Sequence, residues 1–109
     1  FRSRRLKKAL MRFVLSNWGS EVEVERRNRI RLTLAAYAYE FDDNPIMSDA
    51  EFDELSQKIR PEIETGMKKH DEFFRTHFDP NTGMWIRQHP FLRKVEHTYR
   101  WFLNKGYYK

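Results

Sequence analysis

Residues 37 to 55 read YAYEFDDNPIMSDAEFDEL and contain the strongest fold signal in the chain. The run DDNP at residues 42 to 45 should end a helix, because Asp and Asn favour turns and proline disfavours helical geometry in the residue before it. Ser48 and Glu51 then have the spacing of a capping box, which opens a helix. The stretch therefore predicts a helix, a tight turn and a second helix.

The helix before the turn is predicted to be long. Ser20 and Glu23 form another capping-box pattern at its start, and Gly19 is a natural stop for the segment that precedes it. Its apolar face is predicted to consist of Ile30, Leu34, Tyr37, Ala38 and Phe41. Tyr37 and Tyr39 are two residues apart and cannot share a helix face, so one of them should point outward or into a groove.

The rest of the chain predicts three further helices. Residues 1 to 19 form a basic amphipathic pattern, residues 62 to 77 a less regular helical one, and a last helix runs from His89-Pro90 to Gly106. Residues 78 to 86 predict a short hairpin or an ordered turn. We therefore predict an all-α fold, a compact single domain of about five helices over residues 1–109. Its parts are 1–19, the helix-turn-helix 20–60, and 61–109 with a basic, aromatic last helix.

Composition narrows the class of protein. A chain of 109 residues with nine Phe, three Trp and five Tyr can bury one modest core. The absence of cysteine excludes disulfides and thiolate chemistry, and fits a reducing, cytoplasmic setting. No apolar run in the sequence is long enough to span a membrane. The first residue is Phe1, which indicates a processed or trimmed form.

Charge falls in three blocks. Residues 1 to 20 carry six Lys/Arg and no acid, residues 21 to 86 carry nine against fifteen acids, and residues 87 to 109 carry six against one. The basic blocks predict contacts with nucleic acid or with an acidic protein, through Arg4, Arg5, Lys8, Arg12, Arg93, Lys94, Arg100 and Lys105. Trp101 adds an aromatic ring, a mixture typical of base-stacking surfaces. Alternatively, the aromatic residues belong to the core and the basic helix pairs with the acidic middle of its own chain.

The opening stretch resembles the N-terminal helical subdomain of bacterial NAD-dependent DNA ligases. That subdomain has a helix ending in Tyr-x-Tyr-His, an Asp-x-Pro turn, and Asp-Ala-Glu-Tyr-Asp-x-Leu opening the next helix. The match runs without a gap over about a fifth of the chain, at Tyr37, Tyr39, Asp43, Pro45, Asp49, Ala50, Glu51, Phe52, Asp53 and Leu55. Residues 72 to 90, EFFRTHFDPNTGMWIRQHP, resemble small uncharacterised bacteriophage proteins with the same segment, which implies an accessory role in an infected bacterium.

In the ligase family this subdomain closes over the nicotinamide mononucleotide half of NAD. The resemblance implies that an aromatic ring stacks on the nicotinamide and that carboxylates bind its polar edge and the ribose, at Tyr39, Asp49, Phe52 and Asp53. Glu40 stands where the family has His, and Phe52 where it has Tyr, which removes a hydroxyl. The same pattern also suits a scaffold without a ligand, because caps and acidic residues near a helix N-terminus stabilise the helix pair by themselves.

Catalysis is not predicted. The sequence has no Lys-x-Asp-Gly nucleotidyltransferase motif, no glycine loop for phosphate and no Ser/His/Asp set. His70 and His77 are too far apart along a straight helix to share a metal ion and are interpreted as solvated. His89 is interpreted as a cap and His97 as a surface or groove residue, so neither metal nor cofactor is predicted. The leading hypothesis is a non-enzymatic binding protein for nucleic acid or for a protein that handles it. The alternatives are a nicotinamide-nucleotide-binding module and an inhibitor or subunit that binds an acidic protein surface.

Overall fold

Helix α1, Glu21–Asp42, is the longest element of residues 19–106, the part of the chain that this computed structural model describes. The Glu23 N–H donates to Ser20 Oγ and the Ser20 N–H donates to Glu23 Oε1, which completes the capping box. At the other end Asp43 is left-handed with φ 47°, and the Asn44 N–H donates to the Ala38 carbonyl at 2.9 Å. Both predicted limits of this helix are confirmed.

Three more α-helices and one short 3-10 helix follow. They are α2, Asp49–Lys58, α3, Lys68–Thr76, the 3-10 helix, Met84–Gln88, and α4, Leu92–Asn104. Ser48 and Glu51 form the second predicted capping box at the start of α2. Residues 19–106 contain no strand, and the all-α class is confirmed. At residues 78 to 86 the chain therefore forms an ordered turn and the 3-10 helix instead of a hairpin.

Two predicted helices begin later than expected. The segment 62 to 77 is helical only from Lys68, because Gly66 adopts φ 88°, a left-handed conformation that stops a helix from running through it. The last helix begins at Leu92 and not at the His89-Pro90 pair. His89 is extended there, and its Nδ1 accepts the Phe91 N–H at 3.0 Å. The predicted helix over residues 1 to 19 lies outside the described residues, apart from Gly19.

One apolar core joins these elements, and α1 packs against α2, the 3-10 helix and α4. Its most deeply buried side chains include Leu32, Ala36, Phe74, Ile86 and Tyr99. The predicted apolar face of α1 is correct at Leu34, Tyr37 and Ala38 but wrong at Ile30, which is 56 % exposed, and at Phe41, which is 41 % exposed. Because the helix is covered on several sides, no narrow apolar stripe describes it.

A buried ion network lies inside the polar first half of α1. The Arg29 guanidinium donates to Glu25 Oε2 at 2.6 Å and to Asp71 Oδ1 at 2.9 Å, and all three side chains are almost fully buried. It also donates to the carbonyls of Arg60 and Ile63. One side chain thereby satisfies two buried acids and two backbone carbonyls, and fixes the irregular segment 59 to 67 against α1.

The pKa values of the two buried acids, Glu25 and Asp71, are shifted in opposite directions. Burial raises the pKa of Glu25 in spite of its hydrogen bonds from Arg29 and from the Arg60 N–H. Burial also works against ionisation of Asp71, but hydrogen bonds from the Thr65 hydroxyl, the Thr65 N–H and Arg29 outweigh it and lower the pKa of Asp71. Asp71 is therefore the firmly ionised partner of Arg29.

A tyrosine on α4 holds the turn after α1. The buried Tyr99 hydroxyl donates to Asp42 Oδ2 at 2.6 Å and accepts from Asn44 Nδ2 at 2.9 Å. Burial, followed by the neighbouring Asp42 carboxylate, raises the pKa of Tyr99 and keeps it protonated. The acidic turn between α1 and α2 is thus attached to the last helix.

Candidate functional site

The four residues that the ligase resemblance selects line one cavity. This cavity has a volume of about 360 Å³ and lies between the end of α1, the start of α2 and the loop before the 3-10 helix. We call it the acidic cleft and define it by Tyr39, Glu40, Asp49, Phe52, Asp53 and Gly83. Residues from three separate elements therefore meet at one site.

The two tyrosines separate as their spacing predicts. Tyr37 is 7 % exposed and packs in the core, with its ring centroid 4.9 Å from that of Phe41 and 5.5 Å from that of Tyr99. Tyr39 is 56 % exposed and its side chain lines the acidic cleft. The prediction that one tyrosine faces a groove is confirmed, because the Tyr39 ring lines the cleft and is not packed in the core.

The other three residues come from the first turns of α2. Asp49 and Asp53 are four residues apart and share a helix face, while Phe52 lies about 100° away around the axis. All three reach the cleft because it lies beside the N-terminal half of the helix. Gly83 allows the opposite loop to approach, since a Cβ atom built on it would lie 3.2 Å from Phe52 Cζ.

The cleft is acidic and aromatic. Glu40, Asp49 and Asp53 line it, and no Lys or Arg does so among the described residues. Glu40 is paired with Arg87 Nε at 3.4 Å, whereas Asp49 and Asp53 make no ion pair within residues 19–106. Exposed carboxylates beside two aromatic rings attract a positively charged ring, through both charge and the electron-rich ring faces.

The predicted cations of α4 lie on its outer face. Arg93, Lys94, Arg100 and Lys105 are all exposed, whereas Val95 and Tyr99 of the same helix are buried. Trp101 is 48 % exposed on the same face, with Lys105 Nζ 5.5 Å from its ring centroid. Arg100 lies 3.7 Å from Asp42 and is thus partly neutralised. The other predicted partner residues, Arg4, Arg5, Lys8 and Arg12, lie outside the described residues.

The histidines agree only in part with their interpretation. His77 and His97 are exposed and the His89 ring accepts the Phe91 N–H as a cap, but His70 is half-buried instead of solvated. His89 is only 7 % exposed and packs against Phe73 and His70. Burial lowers the pKa of His89 to about 4 and also lowers the pKa of His70. Between residues 19 and 106 no group of three or more His, Cys, Asp or Glu side chains could hold a metal ion. None of the helices between residues 19 and 106 has the length and apolar composition of a membrane span.

Comparisons of the chain with protein-family models, with curated proteins and with solved structures give no match. The function of the chain is therefore inferred from its residues and their geometry.

Proposed function

We propose that this chain is a non-catalytic binding module whose acidic cleft holds the positively charged nicotinamide ring of a nicotinamide nucleotide. One observation supports this proposal above all others. Tyr39, Asp49, Phe52 and Asp53, the positions singled out by the resemblance to NAD-dependent ligases, come from two helices and line a single cavity. A scaffold that had kept only its caps would not need all four side chains at one opening.

The chemistry of the cleft suits a cationic ring. Tyr39 and Phe52 supply ring faces, and Asp49 and Asp53 supply negative charge beside them. Three lining carboxylates disfavour a phosphate inside the cleft, so the phosphate of the nucleotide should remain in solvent. Because Tyr39 is 56 % exposed and Phe52 offers no hydroxyl, we expect a dissociation constant of about 1 mM, near −4 kcal/mol.

Methionine-methyl NMR can test the proposal at such weak affinity. The chain has four methionines, and Met47 lines the cleft, so its methyl signal reports binding there. Titration with 1-methylnicotinamide, which carries the positive ring without ribose or phosphate, should shift the Met47 signal. Neutral nicotinamide should bind several-fold more weakly, because it lacks the charge that the carboxylates attract.

Matched variants sharpen this test. Asp53→Asn removes a lining carboxylate and should weaken binding of the cationic ring about fivefold. Glu54→Gln, a neighbouring and exposed position on α2 that does not line the cleft, is the control and should leave binding unchanged. Equal affinity for the charged and neutral rings would show that the carboxylates do not select the ligand, and would overturn the proposal.

A second candidate function is contact with single-stranded nucleic acid through the outer face of α4. The observation that favours it is Trp101, which is 48 % exposed among the cations Arg93, Lys94 and Lys105. Base stacking on an aromatic side chain combined with phosphate pairing gives binding with little sequence preference. This is the activity expected of an accessory factor in a bacterial or phage-infected cytoplasm.

Oligonucleotide binding tests the second candidate independently of the cleft. A short single strand should bind at low salt, and log K should fall linearly with log salt. Arg93→Gln should reduce that slope by about one unit. Trp101→Ala should weaken binding but leave the slope unchanged, because it removes no positive charge. Glu54→Gln on α2 again serves as the control. If no binding is found at low salt, an acidic protein becomes the better partner for this face.

A further inference from the structure

A second cavity opens on a different face of α1. It has a volume of about 280 Å³ and is bordered by α1, the segment before α3, α3, and the start of α4. We call it the apolar groove and define it by Ile30, Met67, His70, Phe74, Phe91 and Lys94. None of these side chains lines the acidic cleft.

The groove exposes apolar surface in one place. Ile30 is 56 % exposed and Met67 is 47 % exposed, and both line the same opening. Below them the rings of His70 and Phe91 are stacked, with their centroids 4.9 Å apart. Single exposed apolar residues are ordinary on protein surfaces, but exposed side chains that converge on one concave site mark a place for an apolar ligand.

The charges around the groove are of one sign. Arg26, Arg29 and Lys94 line it together with two histidines whose lowered pKa leaves them uncharged at neutral pH, and no carboxylate does so among the described residues. Arg29 is neutralised by its two buried acids, and Arg26 uses its Nε and one terminal nitrogen to bind the Thr65 carbonyl. Lys94 is exposed, and its Nζ lies 5.2 Å from the Phe91 ring centroid. Arg26 and Lys94 make no ion pair within residues 19–106, and an apolar floor with such cations at its edge favours a ligand that has an apolar body and one negative charge.

We propose that the apolar groove binds a small amphipathic carboxylate. Its hydrocarbon or aryl body contacts Ile30, Met67 and Phe91, and its carboxylate lies beside Lys94 and Arg26. A volume of about 280 Å³ is at the lower end of small-molecule sites, which fits a single ring or short chain. The groove and the acidic cleft would thus select ligands of opposite charge, and neither proposal requires the other.

Three ligands that share a phenyl ring on a four-carbon chain and differ in charge test this proposal. They are 4-phenylbutyrate, its neutral amide, and 4-phenylbutylamine, each titrated into the full chain with labelled methionine methyl groups. Met67 lines the groove and Met47 the acidic cleft, so the two signals distinguish the sites. The carboxylate should shift Met67, leave Met47 unchanged, and bind about tenfold more tightly than the amine, with the amide between them.

Variants at two exposed lining positions isolate the role of charge. Ile30→Glu and Ile30→Gln remove the same apolar contact and differ only in charge, so the Glu variant should bind 4-phenylbutyrate about fivefold more weakly than the Gln variant. Lys94→Gln should weaken binding about threefold relative to the unmodified chain. The inference fails if the three ligands bind equally, if the two Ile30 variants bind equally, or if Met67 does not respond at millimolar carboxylate.

Discussion

The acidic cleft and the apolar groove lie along the same 22-residue helix, yet they differ in both chemistry and support. The cleft is lined by carboxylates and two rings, and its second wall, α2, is held by a local cap between Ser48 and Glu51. The groove is lined by cations and apolar groups, and its wall is held by Arg29, whose partner Asp71 is 42 residues away. Because a helix turns about 100° per residue, one helix can present opposite charges to two ligands. The two sites can therefore be altered separately.

Removal of Arg29 should give the largest effect and should damage the groove side first. Arg29→Met leaves Glu25 and Asp71 buried without their cation, which typically costs about 3–5 kcal/mol of unfolding free energy. Denaturant unfolding measures the loss, and the exposed Arg31→Met on the same helix should change stability by less than about 0.5 kcal/mol. The Arg29→Met penalty should shrink at acid pH, since protonation of Glu25 relieves the unpaired charge. An Arg29→Met loss no larger than that of Arg31→Met would mean that the network is not structural.

Acid should also weaken the groove side of the molecule. The pKa of His89 is about 4 in the folded chain and about 6.5 when unfolded, so the unfolded chain binds the extra proton between these values. Stability is therefore fully present above pH 6.5 and falls as pH approaches 4, by about 3 kcal/mol in total. His70 acts in the same direction.

Unfolding free energies measured at intervals between pH 7 and 4 test this prediction. His89→Phe keeps a ring but cannot titrate, so most of the slope should disappear. His97→Asn changes an exposed histidine of α4 and should preserve the slope. A slope that survives in His89→Phe would assign the acid sensitivity to other groups.

The caps provide a matched pair of smaller changes. Ser48→Ala and Ser20→Ala each remove one capping box, and each should cost about 1 kcal/mol. Only Ser48 precedes the helix turn that carries Asp49 and Asp53, so only Ser48→Ala should also weaken 1-methylnicotinamide binding at Met47. Equal binding losses in the two variants would indicate that global stability, and not the position of α2, controls the cleft.

Gly83→Ala should give the smallest stability change and the most local one. Gly83 has an ordinary backbone conformation with φ −103°, and its added Cβ would lie 3.2 Å from Phe52 Cζ. The ring can move a few tenths of an ångström into the cleft, so stability should stay within about 0.5 kcal/mol. Ligand affinity in the cleft should fall, while 4-phenylbutyrate binding at Met67 should not change. A change in 4-phenylbutyrate binding at Met67 would show that the two sites are not independent.

Local rules predicted the cleft side of the molecule well. Both capping boxes depend on residues three apart, and the DDNP run ends α1 at Asp42, as the turn preferences of its residues indicate. The separation of Tyr37 from Tyr39 needs only the helix period. The meeting of Tyr39, Asp49, Phe52 and Asp53 at one cavity could be anticipated because the motif is contiguous in sequence and the turn brings its two halves together.

The groove side could not be predicted in the same way. Glu25 and Arg29 have the spacing of an ordinary surface pair, and nothing near them in sequence identifies Asp71 as the third partner. The 3-10 helix, Met84–Gln88, has no side-chain cap, so no capping motif in the sequence predicts where it begins. The groove collects Ile30, Met67 and Phe91 from distant segments, so its existence depends on tertiary packing and not on any sequence pattern.

The hydrogen bond between Tyr99 and Asp42 also has a consequence for the order of folding. It joins positions 57 residues apart, whereas the caps of α1 and α2 form between near neighbours. Local contacts close quickly and distant ones must first bring together a long intervening chain. We therefore expect both helices of the cleft to form early, while the turn between them becomes fixed only after α4 has docked. In a chain still emerging from the ribosome, the two walls of the cleft would exist before the site does.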